Sequence, residues 1–329
     1  MAKVQKYFEE FHDKIRIDYE TNATLREKRD IILERIRKYL KENKLPGFEA
    51  LMQGSYAFGT GVLPLEGVEH DIDVGLCFKI SEKDYTPQDI HGWIFNAVNG
   101  HTEKVEDRGP CIRVTYADGY HVDLVPYACW EDKNKVTNYR LGHKENGWRQ
   151  ADPPGLLDYV KKARSAFAGT EDDKTKTDQF RRCVRYLRRW HDTMIPGKSR
   201  SKPTGLAFVL MTVNRLQPRR FFDGQADDRG ALEAISEHYA LTVGRITAKK
   251  PTPEYEDILA RLTDQDMENL KSRFKALTAG LRAADQESDP VEACKVLRKL
   301  FGQDFPVPSP EDTGKKTKAP AIVTSSSSA

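Results

Sequence analysis

The chain has 329 residues, enough for two domains and for a core that needs no disulfide or metal staple. Charged residues make up 31%, mean hydropathy is −0.67, and no run approaches the roughly 18 apolar residues of a membrane span, which argues against a membrane protein. Lys and Arg exceed Asp and Glu by only 3, too little for bulk binding to polyanions.

Residues 1–43 carry a helical pattern through Leu25, Ile31, Ile32, Ile36 and Leu40, closed by the Pro46-Gly47 break. No signal-peptide core precedes it, so the expected location is the cytoplasm. Strand-type runs follow at Ile72–Ile80, Cys111–Tyr116 and Tyr120–Pro126, the last two joined by the turn composition Ala117-Asp118-Gly119. A helix is expected between them, over Thr86–Val98. Beyond residue 150 the pattern is helical: Pro153–Phe167, Lys174–Met194, Thr204–Arg215, Asp228–Thr242, Glu254–Leu262, Asp266–Ala284 and Pro290–Leu300. From Pro306 to Ala329 the composition is polar and proline-punctuated, as in a disordered tail. The expected fold is therefore α+β: a mixed-sheet core with N-terminal helices over 1–150, a helical lobe over 151–305, and a tail over 306–329.

The five cysteines, Cys77, Cys111, Cys129, Cys183 and Cys294, are odd in number and form no C-x-x-C pair. They read as reduced thiols, without zinc-finger spacing. Residues 161–202 hold 13 Lys and Arg against 5 Asp and Glu. That block reads either as a solvated helix face or as a surface for nucleotides or RNA.

The chemistry concentrates in Gln53-Gly54-Ser55-Tyr56 and His70-Asp71-Ile72-Asp73. Asp71 and Asp73 lie two apart in a strand, which puts both carboxylates on one face. Like charges that close repel unless a cation sits between them, and oxygen-only ligands suit Mg²⁺ or Mn²⁺. Asp123 stands in a third strand pattern with apolar neighbours, where an unpaired carboxylate is costly. Three such carboxylates can hold two metals. Gly54 would let backbone approach a phosphate, and the Ser55 hydroxyl could donate to one. His70 and His121 neighbour the acidic residues and suit hydrogen bonds to carboxylates better than metal ligation. Tyr56, Tyr186, Trp190 and Tyr239 are candidates for stacking a base, with core packing the blander reading.

Gly-Ser, a spacer, D-x-D and a later strand aspartate resemble the polymerase-β-like nucleotidyltransferases. Within that superfamily the chain is most similar to the bacterial cGAS/DncV-like nucleotidyltransferases (CD-NTases). Gly147-Trp148-Arg149 with Asp152-Pro153, the basic run Arg182–Trp190, Lys202-Pro203-Thr204-Gly205-Leu206, and Asp289-Pro290 with Leu297–Gly302 and Phe305-Pro306 carry the narrower resemblance. It implies a bilobal nucleotidyltransferase that joins nucleoside triphosphates, ATP or GTP, into a cyclic di- or trinucleotide messenger of anti-phage defence (CBASS). It implies Asp71, Asp73 and Asp123 as catalytic ligands of two Mg²⁺ or Mn²⁺ ions. Gln53, Gly54, Ser55, Arg185, Arg188, Arg189 and Thr204 follow as nucleotide contacts, and the tail as a site for a conjugation or regulatory partner. No stable nucleic-acid partner and no membrane are expected. The competing reading is a template-independent RNA nucleotidyltransferase that tails tRNA or poly(A) ends, or a linear oligonucleotide synthase.

Overall fold

The computed structural model describes residues 3–17, 23–65, 70–197, 199 and 201–309. Most of the expected tail, residues 310–329, lies outside the described residues, as do Lys198 and Arg200 of the basic block. Two helices open the chain, α1 (Gln5–Ile15) and α2 (Ala23–Glu42). Strand β1 (Phe48–Met52), the single-turn helix α3 (Gly54–Phe58) and strand β2 (His70–Phe78) follow. Helix α4 (Pro87–Val98) starts at a capping box between Thr86 and Asp89, with proline in its first turn, which satisfies two otherwise orphaned N–H groups.

Strands β3 (Lys104–Asp107), β4 (Ile112–Thr115), β5 (Tyr120–Glu131), β6 (Thr137–His143) and β7 (Gly147–Ala151) complete one seven-stranded sheet. Its main path is β1-β2-β5-β4-β3, and only the β2–β5 pair is parallel. β5 is long enough for β4 to pair with its first half and β6 with its second, on the same edge. The α+β class expected from the sequence is present.

Alternation decides the two faces of the central pair. Ile72, Val74, Leu76 and Phe78 of β2, with Val122, Leu124 and Ala128 of β5, are buried in a core shared with α2 and α4. The intervening residues, Asp71, Asp73, His121 and Asp123 among them, take the opposite face.

The later helices are α5 (Pro153–Arg164), α6 (Gln179–Met194), α7 (Gly205–Arg215), α8 (Asp228–Ala240), α9 (Asp264–Gln286) and α10 (Pro290–Phe301). They surround a second core centred on α6, whose Tyr186, Leu187 and Trp190 are almost wholly buried. Helix α1 packs here rather than on the sheet. Phe8 and Phe11 lie 5.3 and 5.4 Å from Tyr186, ring to ring, and both also meet Phe301 and Phe305. Pro306 is buried and Val307 packs against the same core, so the chain stays docked beyond the last helix.

Two expectations fail. Glu254–Leu262 is not a helix. Its segment forms an isolated bridge between Lys249 and Asp257, and the Asp257 carboxylate accepts from the N–H groups of Ala248 and Leu259. Side-chain capture of backbone donors of this kind competes with helix formation. Nor are all cysteines reduced: Cys77 of β2 and Cys129 of β5 are joined in a disulfide, with Cα atoms 5.6 Å apart. The parallel register sets Cys77 beside Tyr127, two residues from Cys129 on the same face, which no local spacing could show. Cys111, Cys183 and Cys294 are free and buried.

Candidate active site

The parallel register aligns Asp73 with Asp123 and Asp71 with His121. Two strands thus bring three carboxylates to one end of one sheet face. Asp71 is exposed, Asp73 half-buried and Asp123 buried. The Asp73 carboxyl is pushed up to about 7, first by its removal from water and then by the charges of Asp123 and Asp71, with Arg113 and Arg188 opposing. A site that raises a carboxyl in this way favours a proton or a cation there.

Gly54 seals the back of this group. Its φ is +60°, and a Cβ at that position would lie 2.1 Å from Asp73 Oδ2. No other residue type fits both the backbone conformation and the space. Gln53 precedes it as the N-cap residue of α3. Its side-chain oxygen accepts from the Tyr127 hydroxyl at 3.4 Å, and its buried amide nitrogen has no partner among the described residues. The Ser55 carbonyl accepts from the N–H of Thr60, which turns the chain back after α3.

The basic helix α6 faces inward and spends its charge on the chain beyond α3. Arg185 donates to the carbonyls of Gly61 at 2.9 Å and Gly59 at 2.7 Å, Arg188 to Thr60 at 2.7 Å, and Arg189 to Leu63 at 2.7 Å. Hydrogen bonds from charged donors contribute about 1.5–3 kcal/mol each, so this clamp fixes the loop that follows α3. Arg182, on the far side, is wholly buried and bidentate to Asp228 at 2.7 and 2.8 Å. The buried arginines of α6 are therefore an internal framework, while Lys161, Lys162, Lys174 and Lys176 of the same block are exposed. Burial, reinforced by Arg181, Arg16 and neighbouring Arg188, lowers the Arg185 guanidinium to about 9. Of the three candidate arginines, Arg188 alone is half-exposed. It lies against Gly205 at the start of α7 and close enough to act on Asp73. Thr204 is the exposed N-cap of α7, its hydroxyl accepting from Ala207 N–H at 3.3 Å.

The stacking candidates separate clearly. Tyr186, Trp190 and Tyr239 are core residues, with exposures of 4% or less. Tyr56 is half-buried near Gln53, its hydroxyl accepting from Arg29 at 3.3 Å. His121 meets Thr115 Oγ1 through Nδ1 at 3.0 Å. The side chain of His70 lies outside the described residues.

One residue escaped the sequence reading. Arg113 of β4 lies directly opposite Asp123 and holds it bidentately, Nε to Oδ1 at 2.6 Å and Nη2 to Oδ2 at 2.5 Å. Its Nη2 is also 3.9 Å from Asp71 Oδ1. Among the described residues no three acidic, histidine or cysteine side chains already stand in ligand geometry. The carboxylate of Asp123 is turned to Arg113 instead.

Residues 48–127 match the family described as "Cyclic GMP-AMP synthase DncV-like, nucleotidyltransferase domain". A c-di-GMP synthase from Roseivirga ehrenbergii is 22% identical over 223 residues, covering 61% of this chain and 57% of that protein. The matched part thus spans little more than half of that relative. The DncV cyclic AMP-GMP synthase of Vibrio cholerae superposes with a TM-score of 0.72 at 16% identity, covering 93% of this chain and 98% of the other. CdnC of E. coli MS115-1, in a structure with ATP, superposes with a TM-score of 0.67 at 17% identity, covering 92% and 98%. At these identities the superpositions establish the shared fold.

Proposed function

We propose that this chain, whose residues 48–127 match the DncV-like nucleotidyltransferase domain, acts as a bacterial CD-NTase and joins nucleoside triphosphates into a cyclic oligonucleotide messenger for anti-phage defence. The observation that carries the reading is the alignment of Asp73 with Asp123 across the parallel pair, with Gly54 against Asp73.

The donor set fits hard divalent cations. Three carboxylates share one sheet face, all oxygen ligands, and Asp73 already carries the electrostatic signature of a place that needs positive charge. Asp71, Asp73 and Asp123 would hold two Mg²⁺ or Mn²⁺ ions. Those ions supply charge neutralisation at the triphosphate and a lowered pKa for the attacking ribose hydroxyl.

The chain's own residues do the rest. A ribose hydroxyl of the acceptor attacks the α-phosphate of the donor, the bond to the bridging oxygen breaks, and pyrophosphate leaves. Asp123, beside Asp73 across the parallel pair, would take the hydroxyl proton directly or through water once its carboxylate is released from Arg113. Gly54 and Ser55 border the donor phosphates, and Arg188 is the α6 arginine free enough to reach them. The clamp from Arg185, Arg188 and Arg189 holds the loop, so catalysis comes from positioning and charge stabilisation. A second turnover on the reoriented linear product closes the ring. ATP and GTP are the proposed substrates, supported by the superposition on CdnC with ATP. Arg182 and Arg185 of α6 are engaged inside the protein and cannot track an RNA backbone, which weakens the RNA-tailing alternative; among the described residues of that block, only the lysines Lys161, Lys162, Lys174 and Lys176 are exposed. No helix among the described residues is long and apolar enough to cross a membrane.

The test is incubation with all four labelled ribonucleoside triphosphates and Mg²⁺ or Mn²⁺, then phosphatase treatment and mass spectrometry. A phosphatase-resistant product, lost in the Asp71→Ala/Asp73→Ala protein, is the expected result, and its mass gives the bases and ring size. A phosphatase-sensitive chain, or extension of added tRNA, would move the assignment to a linear synthase or tailing enzyme.

A further inference from the structure

Asp123 is oriented by a residue that belongs to no nucleotidyltransferase motif read from the sequence. Arg113 enters from β4, the strand on the far side of β5 from β2. Its side chain is 12% exposed and that of Asp123 11%, so the pair sits largely out of water. The guanidinium takes both oxygens of Asp123, and one of its nitrogens also faces Asp71. These are the oxygens that the proposed cation site requires. A carboxylate keeps further lone pairs when a guanidinium takes both of its oxygens, but a divalent cation brought to the same oxygens is repelled by the guanidinium's charge, so the two compete for Asp123.

We propose that Arg113 is the resident counter-ion of the metal-free site: it neutralises Asp123 until a divalent cation arrives, and it sets how tightly that cation binds. The inference rests on the two-metal reading above. Three carboxylates on adjacent strands would otherwise face one another with Arg188 acting on Asp73 but no guanidinium on Asp123 while the chain folds and before it is loaded. Arg113 supplies that guanidinium from within the same β-hairpin, so folding of the carboxylate face does not wait for metal. Cation binding then loosens the bidentate grip on Asp123, and the half of Arg113 nearer Asp71 remains as a positive neighbour that weakens cation affinity. Arg113 is a positioning residue here, acting on the reaction through Asp123.

The sign of the effect on cation binding separates this role from ordinary scaffolding. A residue that merely holds Asp123 in place as a ligand would, when removed, weaken cation binding. A competing counter-ion, when removed, strengthens it. The experiment uses the full chain without nucleotide and reads Mn²⁺ binding by electron paramagnetic resonance, with thermal unfolding in EDTA alongside. Arg113→Met should bind Mn²⁺ about tenfold more tightly than the unaltered protein, and should melt at a lower temperature in EDTA. Arg113→Lys keeps one charge without the fork. It should fall between the two on both measurements, and it serves if the Met protein does not fold. Equal or weaker Mn²⁺ binding in folded Arg113→Met and Arg113→Lys proteins would overturn the proposal while leaving the metal site standing. If the unaltered protein bound no more Mn²⁺ than the Asp71→Ala/Asp73→Ala protein, the two-metal reading itself would fail, and this inference with it.

Discussion

Replacing Asp73 by asparagine should stabilise the metal-free protein at alkaline pH while abolishing nucleotidyl transfer. The carboxyl is held at about 7 against an ordinary value of 3.8, first by its removal from water and then by Asp123 and Asp71. A carboxyl that binds its proton more tightly in the folded chain makes folding proton-favoured. It costs nothing below pH 3.8, where both states are protonated, and its cost grows until pH reaches about 7. A shift of about three pH units corresponds to about 4 kcal/mol at pH 8 and to less than half of that at pH 5. The change between those two conditions is therefore about 2–3 kcal/mol. For a chain of this length, about 1.5 °C of melting temperature corresponds to 1 kcal/mol, so the advantage of Asp73→Asn over the unaltered protein should widen by about 4 °C from pH 5 to pH 8. The assay is paired thermal unfolding in EDTA at both pH values, in which titrations common to both proteins cancel. Parallel shifts in the two proteins would refute the electrostatic argument.

Other perturbations follow from the same contacts. Gly54→Ala forces a methyl into Asp73 at a positive φ and should cost about 1–3 kcal/mol of stability, together with most of the activity, read by urea unfolding and by product formation. Arg182→Leu leaves Asp228 buried and unpaired, so urea unfolding should show a loss of about 3–5 kcal/mol; an unchanged midpoint would mean the pair is dispensable. Cys77→Ser opens the link across a sequence separation of 52 residues. The melting temperature in the absence of reductant should fall by the equivalent of about 2–4 kcal/mol, and dithiothreitol should bring the unaltered protein down to match.

Much of this molecule is legible along the chain. Period-2 alternation through Ile72, Val74 and Leu76 predicts which face of β2 carries Asp71 and Asp73, because strand geometry is local. Helices α4 to α10 announce themselves by caps such as Thr86, Asp178 and Asp289, again through contacts within one turn. Even Arg113 could have been found. A hairpin whose turn centres on Asp118 pairs residues equally distant from it, and 113 and 123 are both five away.

Other features have no local signal. The parallel alignment of β2 with β5 joins residues fifty apart in sequence, and only the completed sheet sets Asp73 beside Asp123 and Cys77 within reach of Cys129. The basic run of α6 reads from composition as a surface, yet its arginines turn inward because the loop at residues 59–63 presents carbonyls that need donors. Helix α1 likewise bypasses the neighbouring sheet, since Phe8 and Phe11 bury more completely among Tyr186, Phe301 and Phe305. The sequence by itself determined the elements and the chemistry each strand carries, since these depend on neighbours within a turn or a pleat. Tertiary structure alone decided which charges meet, because burial and register are properties of chain segments brought together from a distance.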